Sequence, residues 1–197
     1  MPWIALRASS LERVDITQFE EPRTELRNGD YICQLCGETL HIQGAHKRHG
    51  DMVRAHFYHA RDCNARYDAH PESPEHLWAK NYLAQHLRQE YQLLQVEQPI
   101  VEFEVPIEMP WRAKGRQADV LVTWPLGWRV AHEIQLSPIT PDELEERTHD
   151  YGQAAIDVVW YLGKRANTDI NRDWCLHTFG HVLVMQHYNT EVWDYMS

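Results

Sequence analysis

Two short apolar segments in the middle of the chain each carry an acidic residue. Asp119 is followed by Leu121 and Val122, and Glu133 lies two positions before Gln135. Burying an unpaired carboxylate is costly, so such residues usually persist because a cation meets them. On a strand, residues two apart share a face, so Glu133 and Gln135 point the same way. The pattern predicts that carboxylates from two neighbouring strands converge on one divalent cation.

Magnesium, or manganese in its place, is the cation that this pair of carboxylates is predicted to hold. Mg²⁺ takes hard oxygen ligands and keeps several waters, which leaves room for a phosphate oxygen. The metal can then polarise a phosphate or generate hydroxide. Lys80, Arg116 or Arg147 would supply a cation to stabilise the developing charge. The alternative is that Asp119 and Glu133 form salt bridges with Arg116 and Arg147.

A second group of candidate metal ligands lies nearer the N-terminus. Cys33 and Cys36 form a Cys-x-x-Cys pair, and His59 and Cys63 follow at an i, i+4 spacing. Structural zinc takes four thiolate or imidazole ligands, and the first pair often sits on a tight turn. His56 competes for one of the later places. The other interpretations are a pair of reduced core cysteines or a redox dithiol.

Composition and charge narrow the classes of function. The chain of 197 residues has 19 Lys and Arg against 29 Asp and Glu, a net charge of −10. That balance argues against a large basic nucleic-acid groove but leaves a metal-dependent enzyme open. The sequence shows no apolar run long enough to span a membrane and no signal-peptide pattern at its start. Together with a Cys-x-x-Cys pair that favours metal over disulfides, this predicts a cytoplasmic protein.

The order of predicted elements indicates an α/β protein with a small β-rich module in front. Residues 1–70 have short strands and turns, including a polar loop from His46 to Asp51. Residues 71–197 form the α/β domain, in which Ser73 and Pro74 open a helix and Thr140 begins a capping box. The predicted elements of this domain are a helix to about Gln89, strands over 93–105, 118–124, 129–136 and 158–162, a helix after Thr140, and a terminal hairpin over 176–188.

A succession of motifs between about residues 31 and 163 is shared with a known family. The motifs are His56-Phe57-Tyr58-His59, Glu72-Ser73-Pro74-Glu75-His76 with Lys80, Arg116-x-Ala118-Asp119-Val120, Glu133-Ile134-Gln135-x-Ser137, and Glu146-Arg147 with Tyr151. This ordered set resembles the competence protein CoiA-like nucleases of the PD-(D/E)xK nuclease superfamily. The resemblance implies a restriction-endonuclease-like core, in which helices flank a mixed central sheet, over residues 71–197. Cys33, Cys36 and the His56–His59 segment resemble the cysteine-bearing N-terminal region of many members, and residues 1–70 are predicted to form a β-rich zinc-ribbon-like module.

The resemblance assigns roles to several side chains of the predicted site. It implies that Asp119 and Glu133 hold the metal and that Glu75 completes the site as a helix carboxylate. Gln135 takes the place where the superfamily more often has lysine, and it would orient a water. A Lys-to-Gln change removes a charge that could stabilise the transition state.

Four side chains are candidates for contacts with the substrate. Arg147 and Tyr151 lie on the predicted helix after the metal-binding strands, where the resemblance implies that they face the site or the phosphate backbone. Lys80 or Arg147 would contact the scissile phosphate, and Arg116 would bind the substrate.

The leading hypothesis for function is a Mg²⁺-dependent nuclease acting on single-stranded, branched or duplex DNA in DNA processing, recombination or defence. The alternative is a catalytically inactive module with the nuclease fold that binds nucleic acid or a partner protein. A third hypothesis is a zinc-stabilised scaffold without nucleic acid.

Overall fold

The computed structural model describes residues 2–48, 51–61, 63, 67–68, 73–93 and 97–185. The chain divides into two compact units, each built from two segments. The first unit contains Met1–Pro74 and Pro110–Gln117, and the second contains Glu75–Met109 and Ala118–Ser197. The domain boundary between residues 70 and 71 stays a prediction. No helix in the described part of the chain is long and apolar enough to cross a membrane.

Short strands are the main secondary-structure elements of the first unit. They are β1 (Ile4–Arg7), β2 (Arg13–Asp15), β3 (Tyr31–Ile32), β4 (Thr39–Gln43), β5 (His46–Arg48), β6 (Asp51–Val53), β7 (His56–His59) and β8 (Tyr67–Asp68). A 3-10 helix (Ile16–Gln18) and the short helix α1 (Pro22–Glu25) lie between β2 and β3. An antiparallel sheet has the order β2-β1-β3-β4-β7, and β5 pairs with β6. The predicted polar loop over His46–Asp51 is therefore wrong, because its ends belong to the β5–β6 hairpin, whose pairing satisfies backbone hydrogen-bonding groups.

The core of the first unit comes from alternate residues of neighbouring strands. Tyr31 pairs with Leu40 across β3 and β4, and Ile42 pairs with Phe57 across β4 and β7. All four side chains are buried, and the rings of Tyr31 and Phe57 lie 5.2 Å apart. Side chains that share one face of a strand repeat every second residue, so this face packs as one layer.

The second unit combines helices with a mixed sheet. Its elements are α2 (Pro74–Gln92), β9 (Ile100–Ile107), β10 (Gly115–Thr123), β11 (Arg129–Gln135), α3 (Pro141–Gln153), β12 (Asp157–Leu162), α4 (Asp169–Phe179) and β13 (Leu183–Val184). The first residue of α2 and residues 115–117 of β10 belong to the first unit. The order is β13-β12-β11-β10, with β9 paired to β10. β10 and β11 are antiparallel, whereas β11, β12 and β13 are parallel. The predicted mixed α/β fold class is confirmed.

Local sequence signals explain how β10, β11 and α3 follow one another. Gly127 closes the β10–β11 hairpin with φ +84, a backbone conformation that residues with a side chain rarely adopt. The register pairs Val120 with His132. α3 opens with the predicted capping box, in which Thr140 and Glu143 exchange side-chain and backbone hydrogen bonds. These features fix the two strands and the helix that carry most of the candidate site.

α3 is held to the sheet by buried side chains at both ends. Tyr151 packs in one core cluster with Ala118, Leu121 and Ala131 of β10 and β11. Leu144 packs in a second cluster, with Trp160 and Leu162 of β12 and Cys175 of α4. The helix therefore presents one face to strands on both sides of β11.

The predicted terminal hairpin is wrong over its described part, because residues 169–179 form α4. Thr168 caps the helix by accepting a hydrogen bond from the Asn171 amide. Gly180 ends it in the left-handed conformation, with φ +76. The chain then returns as β13, which pairs with β12 in parallel at Tyr161 and Leu183. Residues 186–188 of the predicted hairpin lie outside the described part of the chain.

His132 lies next to Glu133 on β11 and is buried against Tyr161 of β12. Its Nδ1 lies 3.1 Å from the Tyr161 hydroxyl. Burial lowers the pKa of His132 to about 4, and burial raises the pKa of Tyr161 to about 12. His132 is therefore neutral in the folded protein down to a pH well below the pKa of an unfolded histidine.

We expect His132 to make the folded state sensitive to mild acid. As the pH falls below about 6.5, the unfolded chain takes up a proton that folded His132 does not, so the free energy of unfolding decreases. Between pH 7 and pH 5 the wild type should lose about 2 kcal/mol more than His132→Gln in urea titrations. The exposed His177 provides the control, since His177→Gln should follow the wild-type pH dependence. Equal losses in wild type and His132→Gln would contradict the assignment.

Candidate active site and metal centre

The carboxylates of Asp119 and Glu133 interlock the strands β10 and β11. The amide of Asp119 donates to Glu133 Oε1 at 3.2 Å, and the amide of Ile134 donates to Asp119 Oδ2 at 2.8 Å. Each carboxylate thus accepts a backbone hydrogen bond from the strand of the other. The structure brings together the two residues that the sequence analysis placed at the centre of the site.

Glu133 is the more deeply buried of the two carboxylates, with 1 % of its side chain exposed. Its Oε2 accepts a hydrogen bond from Arg147, and its Oε1 accepts one from the Tyr151 hydroxyl at 2.8 Å. Burial raises the pKa of Glu133 above its usual value, although the charge of Arg147 opposes the shift. Both oxygens are therefore engaged, and a cation already lies against one of them. The Glu133–Arg147 contact is one of the two salt bridges considered in the sequence analysis.

The Asp119 side chain is more accessible than that of Glu133, and its pKa is lowered rather than raised. Its Oδ2 accepts a hydrogen bond from His76 Nε2 at 3.1 Å. Burial would raise the pKa of Asp119, but the charge and hydrogen bond of His76, the charge of Lys80 and the Ile134 amide lower it to about 2. The side chain is 14 % exposed, and Oδ1 accepts no hydrogen bond within the described residues. Asp119 therefore offers an ionised oxygen that a cation could reach.

Arg147 connects Glu133 to Gln135. Its Nη1 donates to Gln135 Oε1 at 3.1 Å, and its guanidinium lies 4.8 Å from the centre of the Trp160 ring. The Gln135 amide nitrogen donates to the backbone oxygen and the hydroxyl of Ser137, at 3.0 and 2.8 Å. Both ends of the Gln135 side chain are thus held by neighbours, with its oxygen beside Arg147.

Lys80 of α2 and Glu104 of β9 form a buried ion pair. The sequence did not predict this pair. Lys80 Nζ donates to Glu104 Oε1 at 2.8 Å, and both side chains are almost completely buried. Glu104 has φ 48 within β9, a left-handed conformation that costs a residue with a side chain roughly 1–2 kcal/mol. Lys80 is therefore an electrostatic neighbour of Asp119 whose ammonium group is already paired with a carboxylate.

The other predicted site residues lie in different surroundings. Glu75 is exposed in the first turn of α2 and makes no hydrogen bond to this network among the described residues. The next residue, His76, is the one that reaches Asp119, and it also lies 2.9 Å from the backbone oxygen of Ile134. Arg116 is buried in the first unit, on the part of β10 before Ala118. His76 belongs to the motif Glu72-Ser73-Pro74-Glu75-His76, but the motif alone predicted no role for its side chain.

Four metal-ligating side chains come together in the first unit. The ligand atoms of Cys33, Cys36, His59 and Cys63 all lie within 4.8 Å of one another. Cys33 Sγ lies 3.9 Å from Cys63 Sγ, and Cys36 Sγ lies 4.0 Å from His59 Nε2. The predicted four-residue set is thus assembled, and it forms a Cys3His cluster that could hold a metal ion.

Strand register explains why His59 rather than His56 joins the cluster. β7 pairs with β4 so that His59 lies opposite Leu40, whereas His56 lies opposite Gln43. The end of β4 near Leu40 adjoins the turn that carries Cys33 and Cys36, in which the Gly37 amide donates to the Cys33 oxygen at 2.9 Å. His56 is buried elsewhere, with Nδ1 2.9 Å from the backbone oxygen of Arg54.

The donor set of the cluster fits a soft cation. Burial raises the pKa of Cys33, and burial together with the neighbouring thiols raises the pKa of Cys63 to about 12. Three thiols in such surroundings become thiolates when a cation compensates their charge. Three sulfurs and one imidazole nitrogen at these separations are a donor set that could form a closed tetrahedral site.

Comparison with known proteins identifies the family. The family model for the nuclease-like domain of competence protein CoiA matches residues 72–196, more than half of the chain. The chain belongs to this family. The match covers the carboxylate network and begins after the Cys3His cluster, so the resemblance of the N-terminal region to members of the family stays a prediction. A search of curated proteins found no match.

Two solved structures resemble the chain distantly. One is a repair endonuclease from Pyrococcus abyssi, with 15% identity and a TM-score of 0.33 over 61% of this chain and 49% of that one. The other is a complex of EndoMS with double-stranded DNA, with 13% identity and a TM-score of 0.29 over 67% of this chain and 51% of that one. The chain spans about half the length of each, and the family assignment rests on the sequence match alone.

Proposed function

We propose that this protein is a metal-dependent nuclease that hydrolyses DNA phosphodiester bonds. The observation that carries the proposal is the convergence of Asp119 and Glu133 from paired strands within a CoiA nuclease-like domain. Asp119 supports the metal-binding role because it is ionised and has an oxygen without a hydrogen bond among the described residues. Mg²⁺ or Mn²⁺ would be held by Asp119 and Glu133, with Glu75 as an auxiliary carboxylate.

The neighbouring side chains suggest how the site would act on a phosphate. A bound divalent ion supplies Lewis-acid chemistry and a nucleophilic water. Arg147 would stabilise negative charge on the phosphate and, through its contact with Gln135, orient that amide. His76 would hold the Asp119 carboxylate in position. Lys80, Arg116 and Tyr151 stay candidates for electrostatic support and substrate contact.

We also propose that the Cys3His cluster binds structural zinc. Its supporting observation is the approach of Cys33, Cys36, His59 and Cys63 within the first unit. The first unit has a core of buried side chains, but its strands are only two to five residues long, so metal binding would contribute a large share of its folding free energy.

An inactive DNA-binding or protein-binding module is the second candidate function. Two observations favour it: Arg147 neutralises Glu133, and Gln135 has no charge to offer at the position where lysine is usual. In this case the same network would stabilise the fold without turnover.

Replacing Asp119 by asparagine should separate these functions. We expect Mg²⁺-dependent cleavage of linear, circular or single-stranded DNA to fall at least about 100-fold, because Asn keeps the side-chain shape but loses the metal-binding charge. The measurement is cleavage of labelled DNA with Mg²⁺, with Mn²⁺ and without added divalent ion, under conditions that leave zinc in place.

The matched control is Asp157→Asn, which makes the same chemical change at an exposed residue of β12. It should cleave like the wild type. Wild-type protein that binds DNA without cleaving it in any lane would favour the inactive module, and equal cleavage by Asp119→Asn would overturn the assignment of the site.

A further inference from the structure

The two compact units differ strongly in charge. The first unit holds 12 of the 19 Lys and Arg residues but only 11 of the 29 Asp and Glu residues, so its net charge is +1. The second unit, which carries the carboxylate network, has a net charge of −11. A polyanion is repelled by the second unit on average, so contacts that attract it are concentrated in the first.

One segment of the first unit combines positive charge with an exposed aromatic ring. Residues 110–114 read Pro-Trp-Arg-Ala-Lys, with two cations, and no acidic residue lies between Glu108 and Asp119. We call this segment the basic loop. Lys114 is exposed, and the loop leads directly into β10, the strand that carries Asp119.

Among the described residues, Trp111 of the basic loop is an exposed tryptophan without a ring partner. Its side chain is 46 % exposed, and it makes no ring contact or hydrogen bond within the described residues. Trp128, which is 55 % exposed, differs because its ring stacks on Trp124 at 5.7 Å and its Nε1 donates to Asp157. The face of Trp111 is therefore available for a ligand, whereas Trp128 is held by its own neighbours.

We propose that the basic loop binds single-stranded DNA, with Trp111 stacking on an unpaired base and Lys114 contacting the backbone phosphates. Base stacking on aromatic rings tolerates any sequence and requires a base that is not enclosed in a duplex. The proposal rests on the proposed nuclease function and narrows its substrate to DNA with unpaired bases. It adds to the first unit a nucleic-acid contact that is separate from the carboxylate network.

The test measures binding without cleavage. Fluorescence anisotropy of a labelled oligothymidine and of a matched duplex, with Ca²⁺ in place of Mg²⁺, would compare the wild type with Trp111→Ala. We expect affinity for the single strand to fall about tenfold and affinity for the duplex to change less than about twofold. Lys114→Gln should weaken binding and reduce the slope of log K against log salt by about 0.7.

Matched variants separate a local effect from a general loss of structure. Trp128→Ala and Lys164→Gln, which change an exposed aromatic and an exposed cation of the second unit, should bind like the wild type. Trp111→Phe should recover most of the affinity, since a smaller ring still stacks. Unchanged binding by Trp111→Ala, equal losses for single strand and duplex, or an equal loss in Trp128→Ala would overturn the proposal.

The outcome is independent of the nuclease assay. Cleavage with no dependence on Trp111 would overturn the role of the basic loop and leave the nuclease proposal standing. Binding that depends on Trp111, without cleavage by the wild type, would support the basic loop and contradict the nuclease proposal.

Discussion

A Cys36→Ser chain is expected to lose its bound zinc and, with it, the fold of the first compact unit. The cluster depends on four ligands, and a neutral hydroxyl is a poor substitute for a thiolate. Structural zinc contributes binding free energies of roughly 10–16 kcal/mol in small zinc-dependent peptides, and in such systems that energy is the folding energy. The sheet of the first unit consists of short strands, so we expect the metal to contribute a large share of the stability of this unit.

The measurement combines metal content with hydrogen exchange along the chain. We expect the wild type to carry one zinc per chain and Cys36→Ser to carry almost none. Peptides from β3, β4 and β7 should lose protection, whereas those from β11 and β12 should keep it, since they belong to the second unit.

Two controls test the choice of ligands. Cys175→Ser changes a buried cysteine of the second unit and should retain zinc. His59→Asn should lose the metal, and His56→Asn should keep it, because only His59 lies in the cluster. Zinc binding that survives Cys36→Ser, or that depends on His56, would contradict the proposed site.

Arg147→Met is expected to destabilise the second unit by about 3–5 kcal/mol. Removing one partner of a buried ion pair leaves the other charge without compensation. Glu133 would lose the guanidinium that lies against its Oε2, in a position where almost none of its side chain meets water. Methionine keeps part of the packing of the arginine stem against Trp160, so the main loss is electrostatic.

Urea unfolding followed by circular dichroism would measure the change. The double variant Arg147→Met/Glu133→Gln should recover much of the lost stability, since it removes the orphaned charge along with its partner. Arg172→Met is the control, because Arg172 forms an exposed pair with Asp169 within one helix and should cost less than about 1 kcal/mol. A loss below 1 kcal/mol for Arg147→Met, or a double variant no more stable than the single one, would contradict this account of Glu133.

The parts of the fold that the sequence predicted are those with local signals. The capping box at Thr140 acts over a few residues, and it is present in the structure. The prediction of a hairpin from residue 176 onward overlooks α4, whose boundaries at Thr168 and Gly180 are ordinary helix caps. The two-residue strand β13 follows α4 within the range predicted as a hairpin. A short run of apolar residues is compatible with a helix or with a strand, so it does not determine which of the two forms.

The candidate site was predictable where an acidic residue lies within an otherwise apolar strand segment. Asp119 and Glu133 lie together, and Arg147 was already among the candidate partners of Glu133. The contact between His76 and Asp119 joins residues 43 positions apart, and the pair of Lys80 and Glu104 joins β9 to α2. No spacing rule reveals such tertiary pairings, since they depend on how a helix packs on a sheet.

The choice between His56 and His59 shows the same limit in the zinc cluster. Both histidines satisfy the ligand types and the approximate spacing, and on a strand they face opposite sides. The register of β7 against β4 decides between them, because it places His59 at the end of the strand near Cys33 and Cys36. The sequence indicates the four ligand types, and the strand pairing selects the histidine.

The most direct test of the metal-dependent site is to locate a divalent ion in the protein. Crystals of wild type and of Asp119→Asn, each grown with Mn²⁺ and a short single-stranded oligonucleotide, would be measured at a wavelength where manganese scatters anomalously. The predicted result is an anomalous peak in coordination contact with Asp119 and Glu133 in the wild type and no such peak in Asp119→Asn. A wild-type site without manganese, with Arg147 still against Glu133 and His76 against Asp119, would contradict the account and identify the network as structural.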